Sequence, residues 1–216
     1  HIMKNLILLL FIPFFSSAKC DHIKGNGHVT SLQREINTFN KIATAGSVDV
    51  IIEQGSEEGV KVTTDENLQQ YVVTEVKNNT LSIHLKDNVS FSSTKLIVHV
   101  TCRNLNAISS GGSGDVTVVN GLKSEDLEIS QGGSGDFDLN LNVNKLEISK
   151  AGSGDFKLEG RIMSLEVSSA GSGDLDAGKT NIGEAEISMV GSGDVLLPRG
   201  IKPKVSSVGS GEVRYE

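Results

Sequence analysis

Leu146-Glu147-Ile148-Ser149-Lys150-Ala151-Gly152-Ser153-Gly154-Asp155-Phe156-Lys157-Leu158 alternates apolar and polar residues on both sides of a Gly-Ser-Gly-Asp corner. Alternation of this kind turns every second side chain to one face, as in a half-buried β-strand. Glycines flanking a serine permit positive φ at a sharp turn, where a Cβ is strained. The stretch reads as strand, tight turn, strand.

The pattern recurs along the chain. Gly-Ser-Gly-Asp occupies 112–115, 133–136, 152–155, 171–174 and 191–194, and Gly-Ser-Gly-Glu occupies 209–212, at spacings of 21, 19, 19, 20 and 18 residues. An apolar column precedes each corner at Ile108, Ile129, Ile148, Val167, Ile187 and Val205, followed by a serine column at Ser109, Ser130, Ser149, Ser168, Ser188 and Ser206. Behind the acidic residue stand Val116, Phe137, Phe156, Leu175, Val195 and Val213. A unit of about 20 residues with two short strands cannot bury its own apolar face, whereas stacked units bury a continuous column. The expected architecture is all-β, a single-stranded parallel β-helix with coils of about 20 residues. Antiparallel hairpins are the competing fold, but they need turns on alternate faces rather than one identical corner per unit.

Before the repeats, Ile42, Gly46 and Asp49 match the same template with Val48 in place of the second glycine, a divergent seventh copy. From Gly46 to Gly112 is 66 residues, an interval close to three coils, with Asn78-Asn79 as a hairpin turn and 65–70 as a short helical turn. The expected organisation is a signal peptide at 1–18, a loosely ordered leader at 19–38 and a β-helix at 39–216, irregular over 39–107 and regular over 108–216. The signal reading rests on Lys4, the apolar run Leu6 to Phe15 and the small residues Ser16-Ser17-Ala18. Ten apolar residues are too few to span a bilayer.

Composition narrows the function. The chain of 216 residues carries a net charge of -7, which leaves no electrostatic footprint for nucleic acid or an anionic membrane surface. Cys20, directly after the signal, is a candidate for lipidation, the one route to a membrane, although Lys19 stands where a small residue usually precedes a lipidated cysteine. A disulfide from Cys20 to Cys102 is the second reading, and a buried Cys102 in phase with Leu96, Val98 and Val100 the third. His22, His28, His84 and His99 show no metal-ligand spacing, and neither a nucleophile elbow nor a phosphate-binding loop motif occurs.

The phrase Phe39-x-x-Ile42-x-x-x-Gly46-x-x-Asp49-Val50-x-Ile52-x-Gln54-Gly55, the strand pair ending Asn79-Thr80-Leu81-x-Ile83 and the Gly-Ser-Gly-Asp repeats together resemble the head GIN domain family of putative auto-transporter adhesins over roughly residues 36–216. The resemblance implies a right-handed coil and an exported protein of the kind common in Bacteroidota. It implies no catalytic residues.

Stacking brings Asp115, Asp136, Asp155, Asp174, Asp194 and Glu212 into one column. Neighbours about 4.8 Å apart repel by roughly 1 kcal/mol per pair in water. Hydrogen bonds from turn N–H groups are one solution, and a ladder of Ca²⁺ ions between coils is the other. Against the second, the Ca²⁺-binding nonapeptide Gly-Gly-x-Gly-x-Asp places its Asp one residue later than Asp115. The serine column is either a hydroxyl ladder linking coils or an adaptable contact strip. The expectation is a non-catalytic, exported binding or structural module at the cell surface, outer membrane or periplasm, needing no cofactor and contacting a surface protein or glycan. The alternatives are a polysaccharide lyase or hydrolase built on clustered Asp, and a Ca²⁺-binding structural protein of the periplasm.

Overall fold

The computed structural model describes residues 21–216. The coils stack in parallel as a β-solenoid. The rung Lys41–Gly46 pairs with Ala107–Gly112, and Ile108, Ile129, Ile148, Val167, Ile187 and Val205 follow in strict register. In the middle coils strand leads into strand without an intervening loop, whereas residues 177–179 and 198–203 form loops in the last two. Val116–Gln131, Phe137–Gly152 and Phe156–Gly171 each run as one strand between corners. The inward phase slips once per coil, for example between Val143 and Leu146, so the chain bends there without leaving the sheet.

The interior is a set of aliphatic columns. Phe137 and Phe156 occupy successive rungs of one column, and their rings stack at 4.5 Å with a 3° interplanar angle. That separation is close to the strand spacing itself, so register alone places the rings face to face.

Residues 47–106 differ from the three coils expected, because Gly112 stacks directly on Gly46. The chain makes an excursion. Thr80–Leu85 and Leu96–Cys102 form one rung beneath the first coil, pairing with Lys41–Thr44 and Asp49–Gln54 respectively. Antiparallel partners then close this end: Val72–Lys77 on the first, Gly59–Asp65 on the second, with Val29–Arg34 outside the latter. The leader is therefore ordered from Asp21, since 21–24 and 29–34 are strands. Asn78 and Asn79, at φ 50° and 60°, make the expected hairpin turn, and Glu66–Tyr71 is the expected short helix. An exposed parallel edge invites pairing with other chains, and these antiparallel strands cover it.

Asp65 ties this cap together. Its buried carboxylate accepts Gly27 N–H at 2.6 Å, Thr94 N–H at 2.7 Å and the Thr94 hydroxyl at 3.0 Å. The Thr94 N–H, against the opposing effect of burial and with help from Gly27, holds the carboxyl below its ordinary value of 3.8.

Both glycines of each corner are there for space. A Cβ on Gly154 would overlap the carbonyl oxygen of Gly135 in the preceding coil, and one on Gly152 that of Gly133. Gly154 is not among the positive-φ glycines, so close approach of backbones, rather than turn conformation, excludes a side chain there. Gly132, by contrast, would meet nothing within 4 Å, and its column continues as Ala151 and Ala170.

Two outcomes follow for stability. Gly154→Ala should cost about 2–4 kcal/mol, a fall of roughly 5–15 °C in Tm, while Gly132→Ala should stay within about 0.5 kcal/mol of the parent. Equal Tm values for the two variants would contradict the stacked-corner geometry. Because the Asp65 carboxyl is depressed in the folded state, its contribution is complete above the unfolded value and disappears as pH falls through the folded one. Thermal melts should therefore show Asp65→Asn less stable than the parent at neutral pH, with the gap closing below about pH 4.

Candidate functional site

The stack brings the six predicted acidic residues into one column, headed by Asp49 of the divergent first copy. Asp115, Asp136, Asp155, Asp174, Asp194 and Glu212 each donate a backbone N–H to Oδ1 of the preceding acidic residue at 2.7–3.0 Å. The residue after each Asp returns a bond: Val50, Val116, Phe137, Phe156, Leu175 and Val195 donate N–H to the next acidic residue's carbonyl at 2.8–2.9 Å. The donor belongs to the next coil, not to the carboxylate's own turn as an Asx-type turn would have it. Each corner is thus a two-way clamp between coils, and the carboxylate supplies the acceptor that the bent backbone cannot.

Like charges in the column are partly balanced from within. Lys150 is buried in phase with Leu146 and Ile148, and its ammonium lies 3.4 Å from the Asp174 carbonyl oxygen and 5.7 Å from the Phe156 ring centroid. Burial lowers its pKa, while Asp155, Asp174 and Asp136 oppose the shift. The residue in register on the preceding coil, Gln131, donates to the carbonyl of Gly135 in its own coil's corner. Sequence reading passed over this inward polar position, although period two from Ile148 marks Lys150 as inward-facing. At the far end Arg214 pairs with Asp194 at 3.2 Å and Glu212 at 3.1 Å. Among the described residues no three His, Cys, Asp or Glu side chains converge where they could hold a metal ion.

Beside the acidic corner, the serine column stands in register on the outer face. The described hydrogen bonds include none between successive serines of the column, so the hydroxyl ladder is absent among the described residues. With Gly111, Gly132, Ala151 and Ala170 the serines border a shallow groove of about 650 Å³. Cys102 is fully buried on the inner face, its pKa pushed up to about 11 by burial. Cys20 and the signal segment lie outside the described residues, and with them the lipidation and disulfide readings.

Stacked parallel coils with one repeated corner define a β-solenoid. The chain belongs to the family described as "Putative auto-transporter adhesin, head GIN domain", whose model matches residues 38–216. Among solved structures, the chain is similar to a putative adhesin from Bacteroides fragilis at 24% identity and TM-score 0.79, covering 90% of this chain and 100% of that one. A putative adhesin from Parabacteroides merdae matches at 23% identity and TM-score 0.75, covering 91% and 99%. A putative lipid binding protein from Parabacteroides distasonis matches at 23% identity and TM-score 0.71, covering 91% and 100%. These likenesses show the fold. No curated protein matches the chain.

The ladder is testable at its centre. Asp155→Asn keeps the acceptor for Asp174 N–H and should leave stability within about 1 kcal/mol, whereas Asp155→Ala should lose about 1.5–3 kcal/mol. Millimolar Ca²⁺ should move the parent's Tm no further than Mg²⁺ does, because each carboxylate already serves its neighbour. A Ca²⁺-specific rise reversed by chelator would restore the ion ladder.

Proposed function

We propose that the protein is an exported, cell-surface or envelope-associated solenoid that binds a surface protein or glycan without catalysis. The supporting observation is the outward-facing row of equivalent serines over successive coils, flanked on one side by positions no larger than Ala from Gly111 to Ala170. Each coil offers the same weak contact. A rigid rod joins these contacts, so avidity replaces single-site affinity. Family membership supports the same reading.

A lyase or hydrolase needs a locally distinct acid and base. Here the column carboxylates are equivalent, and from Asp49 to Asp194 each accepts the next coil's N–H. Among the described residues no helix is long and apolar enough to cross a membrane, and lipid on Cys20 is the proposed means of attachment.

Treatment of intact cells with protease and with a membrane-impermeant amine reagent, followed by peptide mass spectrometry, tests display. Release of solenoid peptides and labelling of Lys204, whose side chain is 85% exposed, are the expected results, together with an acylated N-terminal Cys20 or a chain starting at Lys19. Complete protection until the outer membrane is breached would assign the protein to the periplasm.

A further inference from the structure

We propose that a polar groove where the irregular and regular halves meet is a carbohydrate-binding site, reading sugar hydroxyls through Asn104, Lys123, Glu125, Asn142 and Asn144. The proposal goes beyond the repeated serine face and does not depend on surface display. A periplasmic location would therefore leave it standing.

Two adjoining depressions of about 320 and 430 Å³ share Asn104, Lys123, Ser124 and Glu125. The repeat breaks here. Ser124 is in register with Val143, followed by Ile162 and Ile182, all three buried, so a hydroxyl interrupts an apolar column at this coil alone. Residues 103–106 form a loop, while the next coils pass the corresponding place within continuous strands.

The site is held rigid from below. Gln54 Nε2 donates to the carbonyls of Arg103 at 2.8 Å and Lys123 at 3.1 Å, and its Oε1 accepts Lys123 N–H at 2.9 Å. The Asn144 amide donates to the Glu125 carboxylate. Asn40, bordering the first depression, has a buried Oδ1 with no hydrogen-bond partner. Among the described residues the side chains of Asn104, Asn142 and Lys123 take part in no hydrogen bond.

The donor and acceptor set selects the ligand class. Amides present a donor and an acceptor side by side, a carboxylate accepts and an ammonium donates, which matches adjacent hydroxyls on a sugar ring. An anionic ligand would meet Glu125 and Asp126, and a cationic one Lys123, so the set favours a neutral polyhydroxylated molecule. No aromatic side chain borders either depression, so each sugar is held by hydrogen bonds alone and affinity is in the millimolar range.

The test is titration of the ¹⁵N-labelled protein with maltotriose, cellotriose, mannotriose and N-acetyllactosamine, following side-chain amide signals. At least one sugar should shift Asn104, Asn142 and Asn144 saturably, and Lys123→Ala and Asn142→Ala should each weaken that binding by about tenfold at unchanged Tm. Both positions are exposed, so folding is not at stake. No saturable shift with any of the four sugars, shifts confined to the serine face, or shifts at these amides with a short unstructured peptide and with no sugar would each overturn the assignment.

Discussion

Everything in this molecule depends on how closely the backbones approach at the Gly-Ser-Gly-Asp corner. Carbonyl oxygens of one coil occupy the space where a Cβ of the next would sit, and glycine alone fits. The motif departs from its glycines at Val48 and from its Asp at Glu212. Val48 belongs to the first corner, beneath which the chain leaves on its excursion, so its side chain has no lower corner to strike. Glu212 ends the described column, and its carboxylate accepts from the Arg214 guanidinium.

The same corner explains how a column of like charges is tolerated. Successive carboxylates repel, but each is paid by a charge-assisted hydrogen bond and screened by solvent. Lys150 supplies a compensating charge beneath the middle of the column, and Arg214 one at its end. In this arrangement the acidic residues are structural fasteners, which frees the other faces for recognition.

Those faces differ in kind. The serine face repeats, and repetition favours many weak, equivalent contacts. The groove around Asn104 and Lys123 does not repeat, and it lies where the first coil is stitched to the later ones through Gln54. A rigid stack positions both without loops that must order on binding, which limits the entropic cost of recognition. The cap built by Val29–Arg34, Gly59–Asp65 and Val72–Lys77 closes one end of the sheet and leaves its sides accessible.

Sequence alone determined the strands, the repeat, the inward columns and the shared acidic edge, because each follows from a period of two within a period of about 20 residues. The hairpin at Asn78-Asn79 and the buried Cys102 were legible for the same local reason. Only the tertiary structure decided that Gly46 lies directly against Gly112, since the intervening residues 47–106 return by antiparallel pairing that no local pattern dictates. It also decided the direction of the carboxylate clamp, the placement of Lys150 under the acidic column, and the gathering of Asn40, Gln54, Asn104, Lys123 and Asn142 around one groove. These residues are tens of positions apart. Their proximity is set by inter-coil register, a long-range property fixed by which glycine stacks on which.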